Sequence, residues 1–119
     1  MKTILIAEDN DSNYVLMTYI LKGSFNVVRA HDGLEAVNMV KAGGVDLIMM
    51  DLKMPNCDGL EATRLIKTDF PELPIVMLTA NAFECDRENA MNAGCDDFIA
   101  KPVNRDKCMK VISKFITVD

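Results

Sequence analysis

The stretch Val45-Asp46-Leu47-Ile48-Met49-Met50-Asp51-Leu52-Lys53-Met54-Pro55 decides the fold. Its first half is an apolar run of strand length, the pattern of a strand covered on both faces within a parallel sheet. The run stops on a carboxylate. Asp51 is thereby carried to the rim of the sheet, and Pro55, which cannot join a central ladder, turns the chain into a loop. An aspartate standing alone in such a place is more often a turn former or helix cap. A chemical role requires that other strands deliver matching groups to the same rim.

They do. Thr3-Ile4-Leu5-Ile6-Ala7 is a second buried-strand run, and it ends on Glu8 and Asp9. Phe25-Asn26-Val27-Val28-Arg29-Ala30 is more polar, as an edge strand is. Pro74-Ile75-Val76-Met77-Leu78-Thr79 brings a hydroxyl to its exit, and Phe98-Ile99-Ala100-Lys101-Pro102 ends on a lysine, with the proline stopping further pairing. Helical patterns alternate with these runs. The first is capped by Asn10 and Asp11, stopped by Gly23, and read with Val15, Leu16, Tyr19 and Ile20 toward the core. Tyr14, Met17 and Leu21 then form a second apolar stripe off that face, to meet the helices of a partner protein or to pack at the edge of the domain. Leu34 to Ala42 follows, then Leu60 to Thr68 packing Ala62, Leu65 and Ile66, and Phe83 to Ala93 ending at Gly94. The last helix has Cys108, Val111, Ile112, Phe115 and Ile116 at i, i+3, i+4, i+7 and i+8, opposite a basic stripe of Arg105, Lys107, Lys110 and Lys114.

Five strands alternating with five helices imply one α/β domain over residues 1–119, a doubly wound five-stranded parallel sheet with helices on both faces. Right-handed crossovers and the order 2-1-3-4-5 put strands one and three side by side at the reversal, where ligands bind beyond the carboxyl ends. Glu8, Asp9 and Asp51 converge there, joined by Thr79 and Lys101. Three carboxylates in one place are costly to ionise unless a cation lies between them. Mg²⁺ suits such a site, because it takes a few carboxylates plus waters and leaves room for phosphate oxygens. Lys101 is then placed to neutralise a phosphoryl group on Asp51, and Thr79 to donate to it. A carboxylate nucleophile is already ionised at neutral pH, so no histidine base is needed.

Composition narrows the alternatives. The 119 residues form one domain, half of them hydrophobic, with a formal net charge of -5. That balance argues against a nucleic-acid partner, and the basic stripe reads as a solvated face that also offers a docking surface for an acidic protein. No apolar run approaches the roughly 20 residues of a membrane helix, and Met1-Lys2 leads into a strand, not a signal peptide, so a cytoplasmic protein without a membrane contact is expected. Cys57, Cys85, Cys95 and Cys108 form no C-x-x-C pair and have no metal spacing to His31, so reduced thiols are expected, Cys108 in the core.

Ala7-Glu8-Asp9, Met50-Asp51-Leu52-Lys53-Met54-Pro55 with Asp58-Gly59, Leu78-Thr79-Ala80 and Lys101-Pro102 resemble, in order and over the whole chain, the four signature blocks of two-component response-regulator receiver domains. Met-Asp-Leu-Lys-Met-Pro, Leu-Thr-Ala-Asn-Ala and Asp96-Asp97-Phe98 look most like receivers of hybrid sensor histidine kinases. Met1 reads as a native start, so a stand-alone receiver is expected. The resemblance implies that Asp51 accepts a phosphoryl group from a sensor histidine kinase or histidine phosphotransfer protein. Asp9, Asp51 and the carbonyl of Lys53 would ligate Mg²⁺, with Glu8 holding a metal-bound water. Thr79 and Phe98 would switch a face of helix four, strand five and helix five toward a downstream protein effector, the Lys101-Pro102 bond would be cis, and Lys53 and Asn81 would tune the phosphoryl lifetime. Two departures stand out: Glu-Asp replaces the commoner Asp-Asp pair, and Phe98 lacks the hydroxyl of a tyrosine.

Three rival chemistries fit less well. An aspartyl-nucleophile phosphatase of the haloacid dehalogenase type needs a second Asp two residues after the first, where Lys53 stands. A flavodoxin-like cofactor binder needs a loop rich in Ser, Thr and Gly after strand one, where Glu8-Asp9-Asn10-Asp11 would repel phosphate. A calcium loop opening at Asp9-x-Asp11-x-Asn13 wants Gly and Glu where Tyr14 and Ile20 stand.

Overall fold

Leu47–Asp51 forms the central strand of a five-stranded parallel sheet in the computed structural model, which describes residues 1–52, 54, 57–79 and 84–117, with residues 84–87 described by their backbone alone. In chain order the elements are β1 (Thr3–Ala7), α1 (Asp11–Leu21), β2 (Asn26–Ala30), α2 (Gly33–Ala42), β3 (Leu47–Asp51), α3 (Gly59–Asp69), β4 (Ile75–Thr79), α4 (Glu84–Ala93), β5 (Asp97–Ala100) and α5 (Arg105–Ile112). The sheet order is β2-β1-β3-β4-β5, as the alternation of the sequence requires. β3 and β4 are buried along their whole length, because helices cover both faces, whereas β2 at the edge carries the polar positions.

Side chains alternate across each strand and so build two cores. Leu5, Ala7, Ile48, Met50, Ile75 and Met77 point to the side covered by α2, α3 and α4, where Val37, Val40, Ala62, Ile66 and Ala90 meet them. Ile4, Ile6, Leu47, Met49, Val76 and Leu78 point to the other side, against Met17, Ile20 and Leu21 of α1 and Cys108 and Ile112 of α5. Asx caps start the helices: the side chains of Asn10, Asp32, Asp58 and Asn104 accept from the N–H groups of Asn13, Glu35, Glu61 and Lys107 at 2.8–3.0 Å. Asp11, expected to share the first cap, is instead the first residue of α1.

The face of α1 is turned from the one expected: of Val15, Leu16, Tyr19 and Ile20, Ile20 alone is buried. Met17, Ile20 and Leu21 are buried and Tyr14 packs beside them, while Val15 is 63% and Tyr19 72% exposed and Leu16 is also open to solvent. Seven of the eight residues from Tyr14 to Leu21 are apolar, so two stripes compete and periodicity cannot rank them. The choice falls to the tertiary fit of Met17 and Leu21 against Ile4, Ile6 and Phe25. In α3 the expected Leu65 is exposed and Thr63 is buried in its place. α5 closes at Ile112, and Val111, Phe115 and Ile116 are only partly buried, although all three pack against the core.

Among the described residues no helix is long and apolar enough to cross a membrane. Cys57, Cys95 and Cys108 are free thiols, and Cys85 lies outside the described side chains. Burial pushes the thiols of Cys95 and Cys108 from 9.0 up to about 11. The folded state therefore keeps these protons after the unfolded chain has begun to lose them, so this contribution to stability is complete below pH 9 and is lost as pH rises toward 11. Urea melts between pH 8 and 11 should show that decline, and Cys108→Ala should flatten it. For α1, Met17→Ala should cost about 2–5 kcal/mol and Tyr19→Ala no more than about 0.5, measured by the same melts.

Candidate functional site

β1 and β3 lie side by side, yet their following helices leave to opposite sides of the sheet, so a crevice opens beyond their carboxyl ends. Ala7 is in register with Met50, which brings Glu8 level with Asp51. The ladder continues one step past each strand: the Glu8 N–H donates to the Ala30 carbonyl at 3.0 Å and the Leu52 N–H to the Leu78 carbonyl at 3.1 Å. Both carboxylate-bearing exits are thus held by the sheet itself. Gly59, at the start of α3, abuts the Asp51 backbone so closely that a Cβ there would collide with the Asp51 carbonyl oxygen.

One oxygen from each of Glu8, Asp9 and Asp51 lies within 4.8 Å of the others. Glu8 and Asp51 are buried and Asp9 is exposed, so the cluster opens to solvent on one side. The amine of Lys101 sits 3.5 Å from Glu8 Oε2 and 3.4 Å from Asp51 Oδ1. Lys101 is delivered there from the end of β5, where its N–H donates to the Thr79 carbonyl at 2.7 Å and its peptide bond to Pro102 is cis. Thr79 is buried at the end of β4, next to β3 in the sheet. Phe98 is half-buried and lines a cavity of about 210 Å³ between β5 and α5 with Lys107, Lys110 and Val111. Lys53, Asn81 and Pro55 lie outside the described residues.

Among the described residues three carboxylates face one amine, which leaves the cluster short of positive charge. Glu8 registers the imbalance: burial, and after it the negative charge of Asp51, hold its carboxyl above the usual carboxylate range against the opposing pull of Lys101. Hard oxygen ligands, a charge deficit and an open side are what a divalent ion such as Mg²⁺ requires, so the residues fit that ion. They do not form the calcium loop considered from sequence, since Asp11 turns away to pair with Arg29 at 2.8 Å.

Arg29 is the residue that sequence reasoning missed. Its Nε and Nη2 both donate to the Glu8 carbonyl, at 3.2 and 3.1 Å, and its guanidinium lies 4.5 Å above the ring of Tyr14. The available signal was an arginine one place before the end of an edge strand, where a solvated side chain is the ordinary expectation.

Residues 4–113 match the family model of the response regulator receiver domain. The chain is a response regulator receiver domain. Among curated relatives, this receiver is 31% identical over 118 residues to the polar-differentiation response regulator DivK of Brucella anthropi, covering 97% of this chain and 96% of that one. Among solved structures it superposes with a TM-score of 0.89 on the receiver domain of the sensor histidine kinase PA1611 from Pseudomonas aeruginosa, 35% identical over 96% of each chain and described with a magnesium ion coordinated in its active-site cleft. The receiver domain of Ssk1 from Saccharomyces cerevisiae, solved with the histidine phosphotransfer protein Ypd1, also gives 0.89, at 34% identity over 96% of this chain and 88% of that one. The receiver accordingly serves two-component phosphorelay signalling and is not a classical enzyme. The sheet order and the helices on both faces read from the sequence are those of this fold.

The raised carboxyl of Glu8 means that the folded state takes up this proton more readily than the unfolded chain, so stability complete below pH 4.5 is lost as pH rises through the folded value. Glu8→Gln should therefore raise the thermal midpoint of the metal-free receiver at pH 7 by a few degrees, and should shrink the further rise produced by millimolar Mg²⁺. Scanning calorimetry with and without the ion reads both effects.

Proposed function

We propose that Asp51 is the phosphoacceptor of this receiver and that Glu8, Asp9, Asp51 and the backbone carbonyl of Lys53 hold a Mg²⁺ ion beside it. The observation that supports this most directly is the Lys101 amine lying almost equally far from Glu8 and Asp51 at the mouth of the crevice. When bound, Mg²⁺ would supply the positive charge that balances the carboxylates and the phosphoryl oxygens. An Asp51 oxygen attacks the phosphorus of a phosphohistidine, the P–N bond breaks, and the imidazole leaves with its electron pair and takes up a proton. Lys101 then neutralises the phosphoryl oxygens and the Thr79 hydroxyl donates to one of them. The receiver assists its own loading and unloading through these groups, with no histidine base.

The donor is a sensor histidine kinase or a histidine phosphotransfer protein, a reading supported by the Ssk1 receiver having been solved with such a phosphotransfer protein. Its docking face is the exposed apolar side of α1, Val15, Leu16 and Tyr19. A small groove lined by Asn13, Leu16, Lys101, Pro102 and Val103 joins that face to the amine of the site. Loading is read out through Thr79 and Phe98 as a change in the face of α4, β5 and α5, to which the downstream protein effector binds, with Lys107 and Lys110 exposed on its rim.

Incubation with acetyl phosphate and Mg²⁺ should add one phosphoryl group to the wild type and none to Asp51→Asn, read by intact mass; labelling of the Asn variant would overturn the assignment. Tyr19→Glu should slow transfer from a phosphohistidine donor at least about tenfold, as loss of a central aromatic contact does, while labelling by acetyl phosphate stays at the wild-type rate.

A further inference from the structure

The turn from Glu8 to Asn10 carries two of the three carboxylates of the site; within it the Asn10 N–H donates to Glu8 Oε1 at 3.2 Å and Asn10 caps α1, but neither contact holds the Glu8 carbonyl. It follows β1, its first residue still joined to β2 through the Glu8 N–H, and precedes Asp11, the first residue of α1. Three like charges share this region, so without a tie the turn relaxes outward until the carboxylates are farther apart. A cation would then have to repay the cost of drawing them together again.

Arg29 supplies the tie. The peptide units flanking the Glu8 Cα are held from the same neighbouring strand: Ala30 accepts from the N–H and Arg29 donates twice to the carbonyl. The guanidinium is itself held in place, by the ion pair with Asp11 at 2.8 Å and by the face of Tyr14, both on the first turn of α1, and its side chain is only 16% exposed. One planar cation thus links the end of β2, the exit of β1 and the start of α1, using the fork geometry that a lysine lacks. Its donors reach the backbone of Glu8, so it leaves the carboxylate oxygens of the cluster free for other partners.

We propose that Arg29 is a positioning residue, holding the turn that bears Glu8 and Asp9 at the carboxylate spacing a divalent cation needs. The inference rests on the Mg²⁺ reading above and deepens it. Outer partners that orient metal ligands typically change metal affinity about 10–100-fold when removed. Arg29 acts on the backbone and not on a ligand atom, which puts its effect at the low end of that range. The exposed Asp11 pair is screened by solvent and contributes less than the two bonds to the carbonyl.

Isothermal titration of the full chain with MgCl₂ tests this, with acetyl phosphate labelling at saturating Mg²⁺ as the second readout. Arg29→Met should weaken Mg²⁺ binding about tenfold and Arg29→Lys about threefold, since the ammonium keeps the charge but loses one bond. Asp11→Asn should stay within about twofold of the wild type. At saturating Mg²⁺ the labelling rate of Arg29→Met should return to near the wild-type value, because the loss lies in binding the cation. A folded Arg29→Met with wild-type Mg²⁺ affinity would overturn the proposal, as would a lowered melting temperature with no change in affinity. If the Met variant does not fold, the Lys variant decides on the same criterion. Failure of the wild type to bind Mg²⁺ or accept phosphoryl would count against the proposed function and not against the role of Arg29.

Discussion

The arrangement depends on a charge imbalance among the described residues: three carboxylates and one amine held at one end of a parallel sheet, two of the carboxylates out of water. Left to themselves the acids would part or take up protons, and Glu8, its carboxyl raised by burial first and by the charge of Asp51 after it, leans to the second. The sheet prevents the first. Because β1 and β3 are hydrogen-bonded neighbours in fixed register, Glu8 and Asp51 cannot separate without breaking ladder bonds on both sides. Repulsion that would scatter three acids on a loop is stored here as a demand for positive charge.

That demand explains why the surroundings are so constrained. Lys101 arrives at the edge of the cluster from β5, two strands away from β3, tied to β4 through the Thr79 carbonyl. Gly59 lets the N-terminus of α3 close against the Asp51 backbone where any side chain would collide. Arg29 ties down the backbone of Glu8 without neutralising its carboxylate. Each of these contacts fixes a position and leaves the oxygens at the mouth of the crevice available, which is what a site for a cation and a phosphoryl group requires.

Most of the fold was legible because apolar runs and turn residues agree with one another. Strands buried on both faces write themselves as unbroken Ile, Leu, Val and Met, and Asn10 marks a helix start that the structure confirms as a cap, whereas the caps at Asp32, Asp58 and Asn104 emerged only in the structure. The failures share a physical cause. In α1 nearly every residue is apolar, so periodicity lost its power to choose a face, and the stripe of Met17 and Leu21 won on fit to the sheet. In α3 the small Thr63 is buried and the larger Leu65 is left in solvent, an inversion that hydrophobicity alone does not predict.

The sequence by itself determined which groups stand at the strand exits, because strand period and apolar runs are local properties of the chain: Glu8, Asp9, Asp51, Thr79 and Lys101 can all be read that way. Only the tertiary structure decided how far apart those groups lie, which face of α1 meets solvent, and that Arg29 grips the Glu8 carbonyl. These depend on register, packing and the crossing of elements distant in the chain. An arginine near the end of an edge strand has the same letters around it whether it points into water or clamps a neighbouring turn.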